Sequence, residues 1–383
     1  MGIYIIVTAL MIIFVYGSML TNKSMTRSYD YISDPRRIRN MQRLLLIMFV
    51  LLLLLMWGLR MDGGADDKEY KLFYEKGYGL YRAKGRLLTG KEPIFVVLVR
   101  LGKALGYDYS FLFFGYSAVT TVFLVLALRE YKLYTEELLI YILGFMMFVY
   151  TSIFTVMRQA AAMAVILYYY SLDKKKRKKH VIWLLPMAFI SHYSVLAAAI
   201  IEVLRRMFKN DLSKKSVKIL LPLIALALAR VLNFELIIEK ITSMFGGIYE
   251  YMNYSGNFNN QSNVGILLIL SYIAYILKIL MSDKRVTFGA DTEKTETVEQ
   301  LQTIYFTLAF LMSYLRWGSR LQLFYLMFIP FILVDLVNCI LKNQRRMASL
   351  IVSIFIELGF IYVLIDNTNL YAGLVIFANH TAW

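Results

Sequence analysis

Long apolar runs separated by short basic stretches set the organisation of this chain. The first run, 3–20, carries no charge, and Lys23 and Arg27 follow it. A cleavable signal peptide has its positive charge ahead of the apolar stretch and small residues at the cut. Neither pattern occurs, so a retained first helix with its N-terminus outside is predicted. The run LLLIMFVLLLLLMWGL at 44–59 predicts a second span. Residues 60–92 are polar, and 93–106 are apolar but interrupted by Arg100 and Lys103. Charge at the centre of a bilayer is costly, so 93–106 is expected as a re-entrant or interfacial helix within an extracytoplasmic loop 60–107. Further spans are predicted at 108–128, 138–150, 154–172, 218–233, 264–280, 301–315, 320–341 and 347–365.

Residues 181–203 fix the direction of the later spans. They lie between the basic stretches 174–179 (KKKRKK) and 205–218. Basic loops favour the cytoplasmic side. A single span would put one of these loops outside, whereas a short hairpin of 181–190 and 193–203 keeps both inside. The hairpin is therefore expected, with Ser191–His192–Tyr193 at its tip toward the outer half of the membrane. Residues 234–263, rich in Tyr, Asn and Gly, read as an extracytoplasmic loop. Residues 281–300 read as a solvated cytoplasmic linker.

Composition agrees with this plan. Apolar residues make up 59% of the 383 and charged residues 18%, with a mean hydropathy of +0.58. A soluble domain is about half apolar and about a quarter charged. At about 20 residues per span, the apolar content fills roughly ten spans. A soluble enzyme, a disordered chain and a fibrous repeat are excluded, and 1–383 reads as a single transmembrane domain. The net charge of +16 follows from basic inner loops, so no nucleic-acid partner is implied. Cys339 is the sole cysteine and the three histidines are scattered, which excludes a disulfide framework and a cysteine-based metal site. The chain has no P-loop, dinucleotide-binding glycine pattern, zinc spacing or nucleophile elbow.

Charges predicted outside the basic inner face need their own explanation. They include Arg60, Asp66, Glu92, Arg158, Arg316 and Arg320, with His192 close by. Arginine, carboxylate and histidine together at one membrane face fit a phosphate-bearing ligand and proton transfer. Arg158, in FTVMRQAAAMAVILYYY, either snorkels to the nearby surface or faces a cavity and binds an anion, with Gln159 as a neighbouring polar contact. Arg316 and Arg320 are four apart and share a helix face. They either sit among headgroups in a polar turn or hold a diphosphate between them. Glu92 precedes Pro93, a placement that helix capping is sufficient to explain. His192 is either a satisfied structural histidine or, from its tip position, a general base.

Arg60 followed by Gly64–Ala65–Asp66 and Tyr70, then Glu92–Pro93–Ile94–Phe95, Arg158 in an apolar helix, and His192–Tyr193–Ser194 form an ordered series. It resembles the EpsG family of Wzy-like polysaccharide polymerases over roughly 1–340. One position departs: the family commonly has Phe-His where this chain has Ser191–His192. The resemblance implies an all-α polytopic membrane protein of the bacterial plasma membrane, GT-C-like, with about ten spans plus the re-entrant segment and the hairpin. It implies that a glycan moves from undecaprenyl diphosphate onto a lipid-linked repeat unit at the outer face. Undecaprenyl diphosphate-linked oligosaccharide and membrane lipids are then the partners, a chain-length regulator is a further one left open, and no cofactor or metal is required. Arg158, Arg316, Arg320 and Arg60 are expected to hold the diphosphate. His192 is the first candidate for the base, with Asp66 and Glu92 as rivals. Tyr70, Trp317 and Gln159 are candidates for sugar contact. Three other readings stay open, one of them a structural or assembly membrane protein without chemistry, which leaves Arg158 unexplained. A flippase for the same substrate needs a polar path between the two faces, which the one-sided charges disfavour. A ligase that moves finished glycan, as O-antigen ligases do, cannot be separated from a polymerase by composition.

Overall fold

The computed structural model describes residues 2–20, 35–54, 67–76, 92–150, 156–231, 266–281, 292–311, 319–340 and 344–366. Among them all regular structure is helical. The expectation of an all-α fold holds. Helix α1 (Gly2–Leu20) and α2 (Pro35–Leu53) correspond to the first two apolar runs. The acidic segment expected as part of a hydrated loop instead contains a helix, α3 (Asp67–Lys76). Its Tyr70 and Tyr74, one turn apart, are buried against Phe95, Val99 and Phe113, and that apolar face gives the segment a reason to fold. Gly102 makes the docking possible, because a Cβ there would lie 2.6 Å from the Tyr74 hydroxyl.

The interrupted run at 93–106 forms α4 (Pro93–Ala104), a 12-residue helix too short to span. Arg100 and Lys103 lie on its exposed side, which is how a short apolar helix tolerates them. The next helices are α5 (Ser110–Tyr131) and α6 (Thr135–Gly144), the latter running into a π-turn at Phe145–Tyr150. They are followed by α7 (Met157–Ser171). Helix α5 packs along α7 and α7 along α8, and this triple layer carries much of the core.

The expected hairpin is present as α8 (Lys174–Ser191) and α9 (Val195–Met207), separated at His192 by extended backbone (φ −160, ψ 122). The arms run antiparallel. Glu202 near the end of α9 bonds Tyr170, which lies in the last turn of α7, four residues before the start of α8. The basic stretch 174–179 is not the loop expected from its charge; it forms the first turns of α8. Asp173 caps the helix by accepting from the Lys176 amide at 2.8 Å. Arg177 donates to the carbonyls of Tyr170 and Leu172 at the end of α7, where helix carbonyls lack intrahelical partners.

After α10 (Lys209–Leu212) and α11 (Lys215–Val231) come α12 (Ile266–Leu280) and α13 (Thr292–Leu311). The last three are α14 (Ser319–Leu326), α15 (Pro330–Asn338) and α16 (Arg345–Asp366). Helix α13 corrects the reading of 281–300 as a plain solvated linker. From Thr292 onward that segment is helical, and Thr295, Thr297, Glu299 and Gln300 are buried. Their polarity is matched inside: Lys218 bonds Glu299 at 2.5 Å and Arg205 bonds Gln300 at 2.5 Å.

By length and composition, Ser110–Tyr131 and Leu321–Asn338 are able to cross a membrane, and the apolar stretches Ile5–Gly17 and Leu268–Leu280 are shorter. Several helices turn apolar stripes outward, such as Leu220, Ile224 and Leu228 on α11 and Ile351, Phe355 and Leu358 on α16. Exposed apolar stripes facing away from a polar-containing interior suit contact with lipid.

Candidate functional site

Three helices begin at one place. Helix α4 starts at Pro93, α7 at Met157 and α9 at Val195. Glu92, Arg158 and His192 lie within three residues of these starts. The N-terminus of a helix presents unpaired amide hydrogens and a positive partial charge. Helix α8 ends at the same place with His192 as its C-cap, so its negative end offsets part of that charge and the balance of the three starts favours an anion.

Glu92 is the hub. Its Oε2 accepts from Arg158 Nη1 at 2.5 Å, and its Oε1 pairs with His192 Nδ1 at 2.6 Å. The carboxylate makes no side-chain cap to α4, so the capping explanation for this residue is replaced by contact with an arginine and a histidine. Glu92 precedes α4 and lies outside the spanning segments. Burial alone would raise its pKa, but the His192 hydrogen bond and the Arg158 charge hold it down to about 2. An ionised Glu92 fixes the neutral imidazole tautomer: Nδ1 carries the proton and Nε2 keeps a lone pair.

Arg158 occupies the first turn of α7, not the middle of an apolar helix. Its Nε donates to the Tyr70 hydroxyl at 3.2 Å. Its guanidinium lies 5.4 Å from the Tyr70 ring centre and 5.9 Å from that of Phe95, and the two rings touch each other with centres 5.9 Å apart, so both cation–π contacts come from one aromatic cluster. Among the described residues Nη2 donates to none. The side chains of Arg158 and His192 are 17% and 18% exposed, against 4% for Glu92. Arg158 and His192 are thus more accessible than the carboxylate that holds them.

Four of the residues predicted from sequence come together here: Glu92, Arg158, His192 and Tyr70. The expectation that Tyr70 stacks on a sugar changes, because its ring is 1% exposed and packs against Phe95 and Phe113; it positions Arg158 instead. Gln159 is also buried, at 1%, and lies about 100° around α7 from Arg158, so it offers no sugar contact at the opening. Arg60, Asp66, Arg316 and Trp317 lie outside the described residues. The backbone of Arg320 belongs to α14, and its side chain is also outside them.

Sequence reasoning missed two contributors. Phe95 makes a cation–π contact with Arg158. Tyr116 on α5 is fully buried close to Glu92, Arg158 and Tyr70, and its hydroxyl has no partner among the described residues. Only the Glu92–Pro93–Ile94–Phe95 stretch signalled Phe95, and nothing distinguished Tyr116 from a core aromatic.

The sequence pattern of the EpsG family matches residues 43–376 of 383. The chain belongs to the EpsG family. EpsG proteins are membrane proteins with a polysaccharide polymerase-type function, a glycosyltransferase-like reaction. Comparison with curated proteins and with solved structures gave no match. The Glu92–Arg158–His192 group lies inside the part of the chain that the EpsG match covers.

Proposed function

We propose that this EpsG protein polymerises an extracellular or capsular polysaccharide at the outer face of the bacterial plasma membrane, with undecaprenyl diphosphate as the leaving group. The chain then crosses the membrane about ten times in a GT-C-like arrangement, with α4 re-entrant and the α8–α9 turn facing outward. One observation carries the reading: a single buried carboxylate holds an arginine and a histidine at the meeting point of three helix N-termini, and each keeps a nitrogen that has no partner among the described residues.

In the proposed step, an acceptor hydroxyl of one lipid-linked repeat unit attacks the anomeric carbon of the growing chain. The new C–O bond forms as the bond to diphosphate breaks. The electron pair leaves with undecaprenyl diphosphate and the hydroxyl proton goes to His192 Nε2. Arg158 and the three helix ends stabilise the negative charge that develops on the diphosphate. Glu92 orients His192 and stabilises its imidazolium after proton transfer. With both its oxygens engaged, Glu92 is a poorer base than His192. Single displacement of this kind inverts the anomeric centre. Arg60, Arg316 and Arg320 are proposed as further diphosphate contacts, Trp317 as a sugar contact and Asp66 as the rival base.

The test is reconstitution of the purified chain with a lipid-linked oligosaccharide and no nucleotide. Longer glycans on a gel are expected. Movement of intact substrate between leaflets without extension overturns the reading in favour of a flippase. Transfer only of finished glycan to a different acceptor overturns it in favour of a ligase.

A further inference from the structure

Beside the Glu92–Arg158–His192 group, α5 places a phenol that the reaction as described leaves unused. Tyr116 has no exposed surface. Its ring belongs to the same buried cluster as Tyr70 of α3, Phe95 of α4 and Met157 of α7. Phe95 follows Glu92 by three residues and Met157 directly precedes Arg158. Gly115 lets α4 close on α5 at this level, because a Cβ there would lie 2.6 Å from the Leu98 side chain. The phenol is thereby packed among the elements that carry the carboxylate and the guanidinium. It lies close enough to interact electrostatically with Glu92, Arg158 and Tyr70.

The Tyr116 hydroxyl has no hydrogen-bond partner among the described residues. A buried hydroxyl left unbonded costs free energy, and phenylalanine would fill the same space without that cost. A second arrangement of the same residues gives the hydroxyl a use. Glu92 Oε2 is occupied by Arg158 and Oε1 by His192. When Arg158 turns to an anion, Oε2 loses its donor while the carboxylate stays buried, and an unpaired buried charge is costly. A neutral phenol has one hydrogen to give, and its bond to a carboxylate is charge-assisted.

We propose that Tyr116 is a positioning residue whose hydroxyl donates to Glu92 when Arg158 turns to an anionic ligand. The carboxylate then stays ionised and keeps His192 oriented while the arginine serves the ligand. No proton leaves the phenol; one hydrogen bond replaces another. The proposal rests on the polymerase reading only for the anion that draws Arg158 away.

The experiment is a double-mutant cycle on the full chain in detergent, read by thermal unfolding without ligand. Arg158→Met keeps apolar bulk against Tyr70 and Phe95 but removes every donor, and so stands for the arginine turned away. Tyr116→Phe alone should melt within about 1 °C of the wild type or above it, because it deletes an unbonded hydroxyl. In the Arg158→Met background the same change should lower the midpoint by a further 2 °C or so, roughly the shift for one lost hydrogen bond. Arg158→Lys restores a cation opposite Glu92 and should return the effect of Tyr116→Phe to nil. A merely structural tyrosine costs the same in every background and a bystander costs nothing in any; either result overturns the proposal. Failure of both Arg158→Met and Arg158→Ala to fold overturns it too, since Tyr116 would then not take over Glu92. The cycle needs no turnover, so it stands apart from glycan extension. Coupling in a protein that extends no glycan supports the role of Tyr116 and removes the polymerase reading; extension without coupling does the reverse.

Discussion

Lys278 and Arg158 are both cations held inside the helix packing, but their surroundings differ. Lys278 Nζ lies 2.6 Å from Asp335 and 2.6 Å from Gln302, with Glu299 at 3.9 Å, and the side chain is fully buried. Glu299 is also bonded by Lys218. Two lysines face two carboxylates and the three ammonium hydrogens have acceptors around them. This group ties α11, α12, α13 and α15 together and has nothing left to offer a ligand. At the other group one carboxylate serves an arginine and a histidine, three helix N-termini lie close by, and among the described residues Arg158 Nη2 and His192 Nε2 have no partner. Unused bonding capacity, more than buried charge itself, separates a site from a brace.

The sharpest way to break this comparison is to remove each cation. Arg158→Ala should lower glycan extension about a hundredfold to a thousandfold, the scale for losing a donor that meets developing charge, and should also cost some stability, because the buried Glu92 then keeps only His192 of its two present partners. Lys278→Ala should act on stability alone and destabilise by about 3–5 kcal/mol, because a buried carboxylate loses its cation. Replacing both partners, Lys278→Met with Asp335→Leu, should recover a folded and active protein, since apolar substitutes of similar volume often match a buried pair. A double variant that melts normally but is inactive would give the brace a part in the reaction. An Arg158→Ala protein that fails to fold would make Arg158 a brace as well.

Each member of the open group carried a local sign in the sequence: an arginine in an apolar run, a glutamate before a helix-starting proline, a histidine between two short apolar segments. Their meeting did not. Glu92 lies 66 residues from Arg158 and 100 from His192, and a glutamate at a helix start already has a sufficient local explanation. Tyr116 looked like any aromatic of α5, because an unpartnered hydroxyl is a property of the packed structure. The closed group was misread for a related reason. Residues 292–300 are polar enough to look solvated, and only the lysine on α11 that pairs with Glu299 and the other polar partners from neighbouring helices reveal them as buried. The hairpin was legible because charge on both flanks constrains direction, whereas the helical start of α8 depends on a cap at Asp173 that charge counting ignores.

Glu92→Gln sharpens the comparison from the side of the carboxylate. The amide keeps the shape but loses the charge that orients His192 and balances Arg158, so extension should fall about tenfold to a hundredfold. Stability gives a second readout. Folding lowers the pKa of Glu92 from an ordinary 4.5 to about 2, so the ionised group stabilises the fold fully above its unfolded value. That contribution should fade as pH drops from there through about 2. The melting-temperature difference between the wild-type protein and Glu92→Gln should therefore be flat between neutral pH and about pH 5, then narrow on further acidification. A gap that narrows near neutrality would mean that Glu92 is not held by Arg158 and His192 as described.

The smallest effect is expected at Tyr70. Tyr70→Phe removes the hydroxyl that accepts from Arg158 Nε but keeps the ring beneath the guanidinium. The Glu92 contact and the cation–π contacts remain, so Arg158 should lose alignment without losing its place, and extension should fall only about threefold to tenfold. Tyr70→Leu also removes the aromatic face and should cost more, since a cation over a desolvated ring gains about 2 kcal/mol. Both losses should appear in turnover more than in substrate affinity, because alignment matters most as charge develops on the leaving diphosphate. If Tyr70→Phe extends glycan at the wild-type rate while Tyr70→Leu merely unfolds α3, the tyrosine belongs with Lys278 among the braces, and the open group shrinks to Glu92, Arg158 and His192.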